Sequence, residues 1–144
     1  MAVLFTTLIP NALARTPRKF DEFGRLACSD ELARLDNYAE ALRPLPDALA
    51  VVVIYGGRSD TRRGEVIAHL FGIRDYLVNH HSFDATRVVL KDGGFLEHLR
   101  IDLWITPSNV RDSIKYLIDD SIALDMVHLN GSPIRKWKYR CASR

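Results

Sequence analysis

Hydrophobic positions along the chain recur at two periods. In CSDELARLDNYAEALRPLP, Leu32, Leu35, Ala39 and Leu42 fall three or four apart, which predicts an amphipathic helix. Ser29 is placed to cap it, Asp30 and Glu31 suit the positive end of its dipole, and Pro44 and Pro46 stop it. Val66, Leu70, Ile73 and Leu77 make the buried face of a second helix, with Asp60 or Ser59 as cap and an end near Asn79. A short strand is expected at residues 19–23, closed by Gly24. The valine-rich run at 49–55 reads as a strand buried on both faces. ATRVVLK is a third strand and DGG a turn. In LEHLRIDLWI, Leu99, Ile101, Leu103 and Ile105 alternate with Arg100, Asp102 and Trp104, giving a fourth strand with one buried and one more polar face.

This order, strand, helix, strand, helix, strand, strand, predicts an α+β fold, a two-layer sandwich with helices on one face of a sheet. Beyond Pro107, Ser108 can cap a third helix in which Val110, Ile114, Leu117, Ile118 and Ile122 share a side. MVHLNGSPIRKWKY reads as a hairpin around Asn130 and Gly131. The expected organisation is an arm or leader at 1–18, a core domain at 19–107 and a helix-and-hairpin extension at 108–144.

Composition leaves this picture intact. The chain has 144 residues, 47% of them hydrophobic and 26% charged, so one domain can bury a core without metal staples. A net charge of +2 implies no nucleic-acid partner. Arginines and lysines nevertheless cluster at Arg15, Arg18 and Lys19, at Arg58, Arg62 and Arg63, and from Arg135 to Arg144. In RKWKYR, strand alternation would turn Trp137 and Tyr139 inward and leave the cations in water; the basic tail is otherwise a surface for a protein partner. No apolar run reaches the length of a membrane-spanning helix. AVLFTTLIP followed by Ala12-Leu13-Ala14 has the makings of a secretory leader but lacks its positive start, so a hydrophobic arm is the alternative. Cys28 and Cys141 lie in no metal-type spacing; they form one disulfide or remain two thiols.

The candidate chemistry gathers in VVVIYGGRSDTRRGEV. Strand, glycines and helix start suggest a phosphate loop, but no Gly-Lys-Ser/Thr run follows, and Gly56, Gly57 and Gly64 miss the dinucleotide spacing. No nucleotide or other cofactor is expected. Gly56 and Gly57 read as a turn needing backbone angles open mainly to glycine. Asp60 is a helix cap or a ligand group, and Arg58 and Arg62 are rim charges or anion contacts beside free helix N–H groups. His80 and His81 sit at a helix end, where adjacent side chains point apart, so no metal is expected there. His98 falls on the polar side of the last strand. No Ser-His-Asp, Cys-His or paired-carboxylate arrangement has local support, so no enzyme is expected.

Over residues 20–107 the order of elements and several motifs resemble the OmpA-like domain, the periplasmic C-terminal module of outer-membrane protein A. FDEFGRLACSDELARLDNYAEALRPLPDALAVVVIYGG is similar to the family's opening, and IRDYLVNHHSFDATRVVLKDGGFLEHLRIDLWI to its second half. The resemblance implies a non-catalytic module of the cell envelope that binds peptidoglycan in the periplasm, at the outer membrane. An aspartate after the glycine strand and an arginine on the next helix would grip the ammonium and carboxylate of a diaminopimelate side chain. Gly57-Arg58-Ser59-Asp60 stands where the family has Gly-His-Thr-Asp, with Asp60 in register. Seven residues before Tyr76, where the family has its arginine, stands His69, which cannot make a bidentate fork to a carboxylate. Arg58, Arg62, Arg63 and Arg74 are nearby substitutes out of register. The resemblance thus implies a divergent member whose grip is weakened or altered, or a protein-interaction domain that keeps the fold without the ligand.

Overall fold

The computed structural model describes residues 16–121, 123, 126–129 and 141. The leader or arm at 1–14, the hairpin around Asn130 and Gly131, and the RKWKYR tail lie outside the described residues.

The fold is α+β. Strand β1 (Arg18–Phe23) leads to helix α1 (Cys28–Leu42), strand β2 (Ala48–Gly57) and helix α2 (Glu65–Asp75). Helix α2 runs into a π turn, Tyr76–His80, and a 3-10 turn, Ala85–Arg87, leads to strands β3 (Val88–Leu96) and β4 (Arg100–Pro107). The sheet order is β1-β4-β2-β3, with β2 and β3 parallel and the other pairs antiparallel.

Strand β2 is buried along its whole length because both its faces are covered. Ala48, Ala50, Val52 and Ile54 join Leu35, Tyr38, Ala39 and Leu42 of α1 and Val66, Leu70, Ile73 and Leu77 of the second helical arm. Leu49, Val51, Val53 and Tyr55 point the other way, onto Ile114, Leu117 and Ile118. The expected apolar stripes of both helices are therefore the ones that pack. The alternation of Leu99, Ile101, Leu103 and Ile105 also faces the helical layer.

Several local expectations give way to other contacts. Ala27, not Ser29, occupies the cap position of α1, without a side-chain cap hydrogen bond, because the helix begins one residue before Ser29. Past its other end Arg87 ties down the turn into β2. Its Nε donates to Ala48 O at 2.9 Å and Nη2 to Leu45 O at 2.8 Å. The third helix is a 3-10 segment, Ser108–Leu117, with a kink at Val110 and no side-chain cap from Ser108. Among the described tail residues, 127–129 are in no strand.

The DGG stretch is not a turn between strands. Asp92, Gly93 and Gly94 continue β3 through a bulge opposite Ile54 and Tyr55. Gly94 takes a φ of 85°, its N–H donates to Asp92 Oδ1 at 2.8 Å, and Gly93 leaves room for the Tyr55 ring. The second face of β4 is also less open than its polar residues suggest. Asp102 is fully buried, 3.1 Å from Lys19 Nζ and 2.9 Å from Arg100 Nε. Arg100 in turn lies over the Tyr55 ring, 4.6 Å from its centroid.

Candidate functional site

The chain leaves β2 at Gly57 and enters α2 at Glu65, so residues 58–64 form a loop at one end of the sheet. Asp60 does not cap the helix. The cap position belongs to Gly64, whose φ of 82° is where a glycine is conformationally required. Gly56 and Gly57 instead lie in β2 and serve by being small. A β-carbon on Gly57 would overlap the Asp60 carboxylate and come within 2.7 Å of Leu99 N; one on Gly56 would strike the Phe95 ring.

That missing side chain seats Asp60. Its Oδ1 lies against Gly57 and 3.4 Å from Thr61 Oγ1, and the buried Thr61 hydroxyl accepts Gly57 N–H at 2.6 Å. The other carboxylate oxygen points outward, 3.3 Å from Nδ1 of His98, whose ring is 86% exposed. One edge of Asp60 is thus held by the protein and one is offered to the surface.

Arg25, just beyond β1, crosses to the same loop. Its Nη2 donates to Asp60 O at 3.0 Å, and its Nη1 pairs with Glu65. Glu65 also accepts Arg62 N–H at 2.8 Å. Burial pushes the Glu65 carboxyl up, but the hydrogen bonds from Arg25 and Arg62 outweigh it and hold the group below the usual carboxylate range. The hydrogen bond Arg25 donates to Glu65, ahead of burial, keeps Arg25 firmly cationic. The entry to α2 is therefore served by the chain's own carboxylate, not left as free N–H groups for an outside anion.

The remaining expected residues divide. Arg58 is exposed, pairs through Nε with Glu97 at 2.7 Å, and its carbonyl accepts His128 N–H at 2.6 Å. Arg62 is exposed on the same loop. His69, on α2, is half-buried with Nδ1 3.2 Å from Glu65 O, its own helix carbonyl. Arg74 lies in the last turn of α2, at the far end of that helix from Asp60. Asp60, Arg58 and Arg62 thus share the loop, while Arg74 does not.

A shallow groove of about 410 Å³ opens beside the loop, lined by Glu22, Phe23, Gly24, Leu96, Glu97, His98, Leu99 and Arg100. Phe23, Leu96 and Leu99 contribute its apolar part. Glu97 and His98 belong to both the groove and the pairs made by Arg58 and Asp60.

No family model and no curated protein matches this chain.

The arrangement suits binding. An outward carboxylate edge, a half-exposed arginine next to it and an apolar groove can hold a small group that carries both an ammonium and a carboxylate. Arg25, Glu65, Thr61 and His98 join it without a place in the motif. Glu65 had a signal, an acid three residues after Arg62, the spacing at which a helix side chain reaches back to the preceding backbone. Arg25 and His98 had none, since each comes from more than thirty residues away along the chain. Asp36, His80 and His81 form a separate cluster that can hold a metal ion, with ligand atoms within 4.8 Å of one another. The adjacent histidine rings do meet, at 4.9 Å between centroids, because they leave the helix through a π turn.

Proposed function

We propose that this chain is a non-catalytic binding module of the cell envelope, OmpA-like in kind, which holds a dipolar amino-acid group of peptidoglycan at the loop after β2. The observation that carries the reading is the seat of Asp60, held from one side by Gly57 and Thr61 and open on the other. An ammonium takes the place of the His98 ring against Asp60. Arg25 supplies the cation that His69 cannot, from a different element and beside the same aspartate. Arg58 and Arg62 line the rim for a carboxylate. A disulfide between Cys28 and Cys141 fits an oxidising compartment such as the periplasm.

The test is sedimentation of the purified full chain with isolated peptidoglycan. The chain is expected in the pellet, and Asp60→Ala and Arg25→Gln are each expected to return it to the supernatant. A pellet fraction no greater than that of an unrelated control protein overturns the reading.

A second reading, a protein-interaction domain that has lost the ligand, is favoured by Ile67 and Phe71. They lie one turn apart on α2, and Phe71 is 55% exposed. The basic tail, the other proposed contact surface, lies outside the described residues. Light scattering on the full chain and on Phe71→Glu tests this reading. An assembly lost in the variant supports it, and a monomer in both counts against it.

A further inference from the structure

At the opposite end of α2 from the Asp60 loop, three metal-ligating side chains converge. Adjacent residues on an α-helix project about 100° apart and chelate poorly. Here the helix widens: His81 N–H donates to Tyr76 O at 3.2 Å, a bond five residues back, and the turn Tyr76–His80 is a π turn. The extra residue brings the two imidazoles edge to face, 4.9 Å between centroids and with planes 81° apart. Tyr76 stacks on His80 at 4.6 Å and so fixes that ring from its other side.

The third group comes from α1. Asp36 Oδ1 lies 2.8 Å from His81 Nε2, and one ligand atom from each of Asp36, His80 and His81 falls within 4.8 Å of the others. Ligands of a tetrahedral Zn²⁺ at about 2.0–2.1 Å stand roughly 3.3 Å apart. The Asp36–His81 gap therefore needs to widen by a few tenths of an ångström as metal replaces the shared proton. His80, the exposed member, has to close the longer gap.

Outer contacts favour the same outcome. Tyr76 OH donates to Asp36 Oδ1 at 2.6 Å and orients the carboxylate, as second partners of metal-bound acids do. Arg43 sets a positive charge against the metal, at 3.5 Å from His81 Nδ1, and Glu40 pairs with it at 2.9 Å.

We propose that Asp36, His80 and His81 form a binding site for a divalent first-row metal ion of the Zn²⁺ type. Two imidazole nitrogens and one carboxylate oxygen suit zinc, cobalt, nickel or copper and disfavour magnesium and calcium, which want oxygen alone. Three protein ligands leave a fourth position for water or an outside donor. Such an ion would clamp α1 to the end of α2. The proposal is independent of the ligand reading of the Asp60 loop.

Calorimetric titration of the chelator-treated full chain with ZnCl₂ tests it, with CoCl₂ absorption as a second readout. One ion per chain is expected, with visible cobalt bands showing nitrogen ligation. His80→Ala, at an exposed position, is expected to keep the native circular dichroism and to weaken binding about tenfold or more. His81→Ala is expected to do the same, and His128→Ala to leave the titration unchanged. Absence of binding heat, or zinc binding equally tight in the His80→Ala and His81→Ala variants, overturns the proposal.

Discussion

Single residues here are chosen for what they leave room for and what they pair with. Gly57 is the clearest case. A glycine pair at a strand end reads as a demand on backbone angles, but the demand falls on Gly64, and Gly57 is needed for the volume that Asp60 fills. Gly57→Ala is expected to push Asp60 out of its seat, cost about 1–3 kcal/mol in chemical unfolding, and abolish peptidoglycan sedimentation. The expectation fails if the alanine variant binds like the parent. Arg87 is a second case. Its guanidinium bonds carbonyls of the turn after α1 and of the start of β2, so Arg87→Met is expected to lose about 1–3 kcal/mol by the same measurement. Neither role is legible in the sequence. A missing side chain has no pattern, and Arg87 lies about forty positions from its partners.

At the scale of elements, the strands and helical stripes were readable because they repeat. Leu35, Ala39 and Leu42, or Leu99 through Ile105, pack as their spacing implies. The boundaries were not, because they depend on partners from elsewhere. The entry to α2 is set by Glu65, whose carboxylate reaches Arg62 N–H and Arg25 together. Its depressed folded-state pKa makes a pH-dependent contribution with a definite sign. The contribution is complete above the ordinary carboxylate value of 4.5 and is lost as pH falls through that value and below it. Melting temperature should therefore drop steeply with acid in the parent protein. Glu65→Gln should be less stable at neutral pH by about 1–3 kcal/mol and show a shallower acid dependence. Parallel pH profiles for the two proteins would rule this out. The end of α2 carries a related lesson. The histidine pair looked divergent on an ideal helix, and only the π turn makes the rings converge.

The described residues form one sheet with a core on each side. The helical core follows from amphipathic stripes. The second core was partly legible, since an apolar run as long as β2 needs cover on both faces, and Ile114, Leu117 and Ile118 supply it. Among the described residues no helix is long and apolar enough to cross a membrane. The disulfide closes the molecule across a sequence separation of 113 residues, joining the start of α1 to Cys141. Reduction is expected to lower stability by about 2–5 kcal/mol, seen as a fall in melting temperature with reductant. The oxidised protein should show no free thiol in denaturant. The pairing itself could not be read from two cysteines alone, because proximity is a property of the fold.

The loop after β2 is proposed to hold a dipolar amino-acid group between Asp60 and Arg25. An NMR titration of the full chain with a diaminopimelate-containing cell-wall peptide tests it most directly. Amide shifts are expected to concentrate at Gly57, Asp60, Thr61, Glu65, Arg25 and His98, and to be absent in Asp60→Ala. Saturating peptide that leaves those amides unmoved, or moves only signals elsewhere, would contradict it.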